Sequence, residues 1–213
     1  MSTTELQSSA TETPAPRARR RARLAAEIEA VALELFASRG FNAVTIDEIA
    51  AAADISQRTF FRYFATKEEV VLGGIVRRID HVVVSLGGRP VEESPVASLR
   101  AALTEIADAE SFGSGRVEHW RTTVMLAEPA IADRGLQLLM AKHDEMVAIV
   151  ARRMAIDPLA DLRAGVVTAA MVGALTAGWR AGVARGRIDL LPSLTAEALD
   201  LVVPALDRLT APA

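Results

Sequence analysis

Two helix-start signals stand eleven residues apart between Thr45 and Phe64, and that spacing constrains the fold more than any other feature of the chain. Thr45 followed by Glu48 makes a capping box, in which the hydroxyl and the carboxylate each satisfy a backbone N–H. Ile46, Ile49, Ala50 and Ala53 follow on one apolar face. Asp54-Ile55-Ser56 interrupts this helix, and Ser56 caps a second short one. On that second helix Phe60 and Phe64 lie four apart on one side, while Arg58 and Arg62 lie four apart on another, pointing away from the rings. The spacing predicts two very short helices joined by a tight turn, which is what a helix-turn-helix requires.

The flanking sequence is helical as well. Leu24, Ile28, Val31, Leu35 and Phe36 recur at helical spacing from Arg17 to Arg39, and Gly40 stands where a helix C-terminus favours glycine. Thr66 with Glu69 reads as another capping box, opening a helix from Lys67 into the 80s. Gly87, Gly88 and Pro90 then punctuate the chain. Beyond them five helices are expected: from Ser94-Pro95 to about Glu110, from about Gly115 to Ala127, over 130–155, from Asp157-Pro158 to Arg185, and from Thr195 onward. Leu136, Leu139, Met140, His143, Val147, Val150 and Met154 would form one stripe on the third. Leu199, Val202, Leu206 and Leu209 would face inward on the last, kinked at Pro204. No strand pattern and no repeat interrupts this all-α plan of about nine helices.

Composition agrees. The chain is 51% apolar but only 4% aromatic, the profile of an Ala/Val/Leu helical core. The absence of cysteine removes disulfides, thiolate nucleophiles and sulfur-based metal sites. His81, His119 and His143 fall at no ligand-pair spacing, so neither metal nor cofactor is expected. The first sixteen residues lack a charged start followed by an apolar run, and their Ser, Thr, Pro and Glu content reads as a disordered tail. The longest uncharged apolar run, Ala164 to Trp179, is shorter than the ~20 residues of a membrane span. A buried helix in a cytoplasmic protein is expected instead.

Charge is unevenly placed. Residues 17–23, RARRRAR, hold five arginines, and residues 17–66 carry eight Arg against six Asp/Glu. Residues 81–213 carry thirteen Lys+Arg against sixteen Asp/Glu. Two parts with different partners follow, over 17–66 and 67–213. In the first part Gln57, Arg58, Thr59 and Arg62 are left facing outward, and Arg and Gln can each bridge two acceptors on a base edge. Thr45, Ser56 and Lys67 sit at helix N-termini, where backbone N–H groups attract phosphate. The arginine run is placed to touch backbone phosphates or a minor groove.

The stretch TIDEIAAAADISQRTFFRYFATKEEVV resembles the DNA-binding signature of the TetR family of bacterial repressors. The match rests on Thr45, Ile49, Ala50, Ala53, Ser56, Thr59, Tyr63, Phe64, Lys67 and Glu68. Asp54 stands where the family has glycine, and aspartate tolerates a left-handed turn better than most residues. Phe61 replaces a tyrosine whose hydroxyl contacts phosphate in the family, so ring packing alone is left to it. The resemblance implies a palindromic double-stranded DNA operator, a homodimer, and release by a small effector. It also implies that the part over 17–66 reads DNA and that the part over 67–213 binds the effector and dimerises.

The stretches HWRTTVMLAEPAI and AGVVTAAMVGALTAGWRAGVARG are similar to the C-terminal domain of actinobacterial regulators found near mycofactocin genes. That implies an acyl-coenzyme A or another largely apolar ligand. Phe112, Trp120, Arg121, Met125, Met140, His143 and Trp179 mix apolar bulk with polar tips and are the candidate ligand contacts. The small residues Gly165, Gly173, Ala174, Ala177, Gly178, Ala181 and Gly182 allow either close packing inside the chain or a dimer seam, and the resemblance favours the seam. On the residues alone, a helical binding module without operator affinity stays open. A helical enzyme has less support, since Glu118 and Glu128 have no evident catalytic partner.

Overall fold

The computed structural model describes residues 16–107 and 115–210. The tail expected over 1–16 therefore lies outside the described residues, apart from Pro16, and so does Phe112. Every regular element in the described part is helical. The helices are α1 (Pro16–Arg39), α2 (Ile46–Ala52), α3 (Gln57–Tyr63), α4 (Lys67–Gly88), α5 (Pro95–Ala107), α6 (Gly115–Ala127), α7 (Pro129–Ala141), α8 (His143–Met154), α9 (Arg163–Arg185) and α10 (Leu191–Thr210). A single 3₁₀ turn at Ile188–Leu190 precedes α10.

The expected caps form. Thr45 Oγ1 accepts from the Glu48 N–H while Glu48 Oε2 accepts from the Thr45 N–H at 2.8 Å, so the box is reciprocal. Ser56 Oγ accepts from the Thr59 N–H. Between them Asp54 has φ +52, the left-handed conformation that its position in the turn demands, and Gly40 closes α1 at φ +88. Thr66 caps α4, but the Glu69 carboxylate reaches one residue further back, to the Ala65 N–H at 2.7 Å.

Three boundaries differ from expectation. The helix predicted over 130–155 is two helices, because Lys142 adopts a turn conformation. Asp144 and Glu145 then fall in the first turn of α8, where the helix dipole favours acids. Asp157-Pro158 opens a turn rather than a helix: Asp157 Oδ1 takes the Leu159 N–H, and Asp161 Oδ1 takes the Arg163 N–H that begins α9. Helix α10 starts four residues before Thr195, since Pro192 is compatible with a first turn. Thr195 is consequently buried mid-helix, and Leu209 is exposed rather than inward.

Two apolar cores result. Ile28, Leu33, Phe36, Val44, Ile49, Phe60 and Phe64 hold α1–α3 together. Burial of Phe60 alone contributes about 2–3 kcal/mol against an exposed ring. This core does not stop at residue 66: Val70 and Val71 of α4, Val124 of α6 and Ile131 of α7 belong to it. The second core is built from α4, α5, α8, α9 and α10 around Leu86, Leu99, Met146, Met171 and Leu199. Helix α9 is long and apolar enough by composition to cross a membrane. Its buried positions include Val167, Thr168, Met171 and Val172, and one side stays exposed.

Candidate DNA-reading surface and effector cavity

Helix α3 is braced from behind by Phe60, which is fully buried and stands 5.8 Å from the ring of Phe64. With that side anchored, Gln57, Arg58 and Arg62 project into solvent, and Thr59 is half-buried with its hydroxyl 2.9 Å from Ser56 Oγ. Phe61 is 48% exposed beside them, edge-on to Phe60. Thr45 and Ser56 are exposed at their caps. Helix α2 is tied to α1 by the Arg39–Glu48 ion pair at 2.5 Å. The Thr45 N–H, then the Arg39 guanidinium and the Thr45 hydroxyl, hold the Glu48 carboxyl down at about 2.

Two of the expected contact residues have structural work of their own. Lys67 Nζ donates to the carbonyls of Phe41 (2.9 Å) and Val44 (2.8 Å) and lies 4.7 Å from the Phe41 ring centroid. It fastens the start of α4 to the α1–α2 connection. Tyr63 is half-buried, with the Arg62 guanidinium 5.3 Å and the Arg21 guanidinium 5.9 Å from its ring centroid. The Arg21 contact brings the arginine run of α1 against the end of α3.

The second part contains a cavity of about 250 Å³ between α4, α6, α7, α9 and α10. Ile79, Leu136, Leu139 and Leu175 supply apolar wall, with Met125 and Trp179 from the expected set. His119 supplies a polar group beside Arg78, Glu118, Thr122 and Thr176, and sequence reasoning assigned none of these last four to a site. Their signal was present, since Gly115, Glu118, His119, Thr122 and Met125 recur at helical spacing along α6.

The remaining expected ligand contacts among the described residues do not line this cavity. Met140 is 52% exposed, and His143 becomes the first residue of α8. The break at Lys142 takes His143 out of the stripe, whereas Met140 stands on the solvent side of α7, one residue past the cavity-lining Leu139. Trp120 packs on the core of α1–α3, with Arg116 5.3 Å from its ring centroid. Arg121 is 1% exposed and lies deep in a charge cluster.

That cluster joins the two parts. Arg121 pairs with Glu29 of α1 and with Glu118 (3.1 Å), and also donates to the carbonyls of Val70 and Val71. Arg77 chelates Glu29 at 2.7 Å, and Arg78 reaches Glu118 at 3.3 Å. Gly74 makes room for this, because a methyl group there would overlap the Arg121 guanidinium. A cationic, planar fork satisfies two carboxylates and two carbonyls at once, which a lysine could not do. Glu118 is thus committed to ion pairs, and Glu128 accepts from Asn42 Nδ2 at 3.0 Å.

The small-residue stripe of α9 divides in two. A methyl at Gly178 would stand 2.7 Å from the Leu194 carbonyl oxygen, and one at Gly182 would overlap Leu191, so these glycines let α10 approach within the chain. Gly173 and Ala177 face outward, together with Val166 and Ala169. Leu201 and Ala205 are exposed on α10.

A capped helix-turn-helix beside a helical, cavity-bearing second part defines a class of proteins. Residues 28–73 match the family described as bacterial regulatory proteins, tetR family, and residues 93–207 match the MftR C-terminal domain. The chain belongs to the TetR family of transcriptional regulators, with the helix-turn-helix in its N-terminal part and a ligand-binding domain of the MftR type behind it. MftR of Mycobacterium tuberculosis, a transcriptional regulator named for mycofactocin biosynthesis, is 30% identical over 90% of this chain and 95% of its own length. TcmR of Streptomyces glaucescens is 31% identical over 62% of this chain, a match spanning 61% of that regulator. Among solved structures, SmeT, the repressor of the Stenotrophomonas maltophilia multidrug efflux pump SmeDEF, superposes with a TM-score of 0.60 at 20% identity. It covers 85% of this chain and 89% of its own. A transcriptional regulator from Aquifex aeolicus superposes at 0.53 with 17% identity, over 84% of this chain and 99% of that one. These two likenesses concern the fold.

Proposed function

We propose that the protein is a cytoplasmic repressor that binds a palindromic operator as a homodimer and is released by a small, largely apolar effector. The observation that carries the reading is α3, where a side-chain cap and a buried ring leave Gln57, Arg58 and Arg62 presented to solvent. Arg58 and Arg62 are suited to guanine edges and Gln57 to adenine. One such helix reads few base pairs. Two related by a dyad would address half-sites about 34 Å apart. The exposed apolar faces of α9 and α10, around Val166, Gly173, Ala177 and Leu201, are the surface we assign to self-association, with Gly178 and Gly182 left to packing within the chain.

The effector site is the cavity bounded by Ile79, Met125, Leu139, Leu175 and Trp179. Its volume lies just below the ~300–1,000 Å³ usual for small-molecule sites, which suits the apolar part of an acyl ligand. Helix α6 walls this cavity with His119 and Thr122 while Val124 and Trp120 pack into the core of α1–α3. A ligand that displaces α6 or α4 therefore favours a different placement of the two reading helices, and linkage makes it weaken DNA binding. Membrane, metal and cofactor have no part in this scheme.

The test is a mobility-shift titration on the intergenic DNA beside the gene, at stated salt, for wild type, Arg58→Ala and Arg62→Ala. Loss of a bidentate base contact should cost ~1–3 kcal/mol and relax sequence preference. A wild type that prefers no duplex over random sequence overturns the reading. Addition of a long-chain acyl-coenzyme A should lower operator affinity, and operator should lower effector affinity by the same factor. Calorimetry showing independent binding of the two removes the effector mechanism.

A further inference from the structure

The core-facing stripe of α1 changes character partway along the helix. Ile28, Ala32 and Leu24 point toward the core of α1–α3, and one helical repeat earlier the same stripe continues as Arg21, Arg20 and Arg17. The helix runs on past its last apolar contact at Leu24, and everything described from 17 to 23 is exposed. This overhang ends beside α3. Arg17, Arg20, Arg21 and Leu24 line one side of a shallow surface cleft whose other side is Arg62 and Tyr63.

Four arginines thus line one cleft, two of them, Arg21 and Arg62, against the ring of Tyr63. Among the described residues none of the four is in an ion pair, whereas Arg23, on the opposite side of α1, is paired with Glu27 at 2.8 Å. Like charges held within a Debye length of about 8–10 Å repel one another, so an unneutralised cluster is costly until an anion enters it. The Tyr63 ring, half-buried between Arg21 and Arg62, fixes the direction of two of the four.

We infer that this cleft is a phosphate clamp, formed jointly by the overhang of α1 and the end of α3, which grips the DNA backbone beside the bases that α3 reads. The proposal rests on the DNA-binding reading above and adds to it a sequence-independent site that reaches from the end of the helix-turn-helix to the overhang of α1. Guanidinium groups bind phosphate bidentately, and Arg21 is held in position for it by the Tyr63 ring, with Arg62 on the ring's other side left to the base edges. Such contacts release counterions from the duplex, so each steepens the salt dependence of binding by ~0.9 in log K against log salt.

The experiment compares full-length wild type with Arg17→Ala/Arg20→Ala/Arg21→Ala and with the corresponding triple lysine variant. Each is titrated with operator DNA and with random-sequence duplex across a salt series. The side chains are exposed, so circular dichroism should show unchanged helix content. The alanine variant should lose affinity for both duplexes by the same factor, on the order of 10²-fold near 0.15 M salt, with a slope shallower by about 2–3. The lysine variant should recover most of the slope. An alanine variant with unchanged slope overturns the clamp while leaving operator recognition intact. Loss confined to the operator also overturns it, because the arginines would then be reading bases. A wild type that binds neither duplex removes the DNA-binding reading itself.

Discussion

Arg121→Met is the substitution whose consequence the structure fixes most closely. The wild-type guanidinium is buried between Glu29 and Glu118, and both carboxylates are themselves buried. Removing one partner of a buried ion pair ordinarily costs ~3–5 kcal/mol, because the remaining charge stays desolvated. Here Arg77 stays on Glu29 and Arg78 on Glu118, so neither carboxylate is stripped bare. The carbonyls of Val70 and Val71 lose one donor but keep their places in the α4 hydrogen-bond ladder. The lower end of the range follows, about 3 kcal/mol. In urea, with m of ~2–3 kcal/mol/M, that lowers the unfolding midpoint by about 1 M with m unchanged. Protein concentration must be held fixed, because any dimerisation adds to apparent stability.

Adding Glu29→Gln and Glu118→Gln to Arg121→Met should deepen the loss rather than restore it, since Arg77 and the mostly buried Arg78 then lose the carboxylates they pair with in the cluster. Gly74→Ala should cost a similar amount in wild type by displacing the guanidinium, and much less in the Arg121→Met background. A midpoint shift under 0.3 M for Arg121→Met, by the same conversion a loss below about 1 kcal/mol, or strict additivity with Gly74→Ala, would refute the claim that this cluster carries the junction between the two parts.

Three further outcomes are expected. Gly178→Ala should destabilise the chain by ~1–3 kcal/mol through overpacking against the α10 backbone, whereas Gly173→Leu should leave monomer unfolding unchanged and weaken self-association in sedimentation; equal effects on both would contradict the division of the α9 stripe. Ala155 ends α8 at φ +54, so Ala155→Gly should stabilise by about 0.5–1 kcal/mol, the left-handed cost relieved less the entropy that glycine adds, and denaturant titration showing a loss would argue against that conformation. Glu48 is held below its ordinary value of 4.5, so its stabilisation of the α2 cap is complete above about 4.5 and fades as pH falls toward about 2. The stability difference between wild type and Glu48→Gln should shrink across that window; a difference independent of pH there would show that the cap does not depend on the carboxylate's charge.

What the sequence by itself determined is what short-range chemistry controls. Thr45, Glu48, Ser56 and Asp54 act on backbone groups within four residues, so the two short helices and their turn were legible from those side chains alone, and the exposure of Arg58 and Arg62 followed once Phe60 and Phe64 took the opposite side. The helix ends near Lys142, Asp161 and Leu191 were not legible, because local signals compete there. Asp157 and Asp161 each take an N–H two residues on and hold α9 back to Arg163, and Pro192 fits a first turn that begins before Thr195. Tertiary structure alone decided which of the polar and apolar side chains of α6 meet the cavity and which meet α1. Arg121 illustrates the reason. It reads like a ligand contact on a helical wheel, yet its partners are Glu29, 92 residues away in the chain, and the carbonyls of Val70 and Val71, so only the folded chain could show that it spans a junction rather than lining a site.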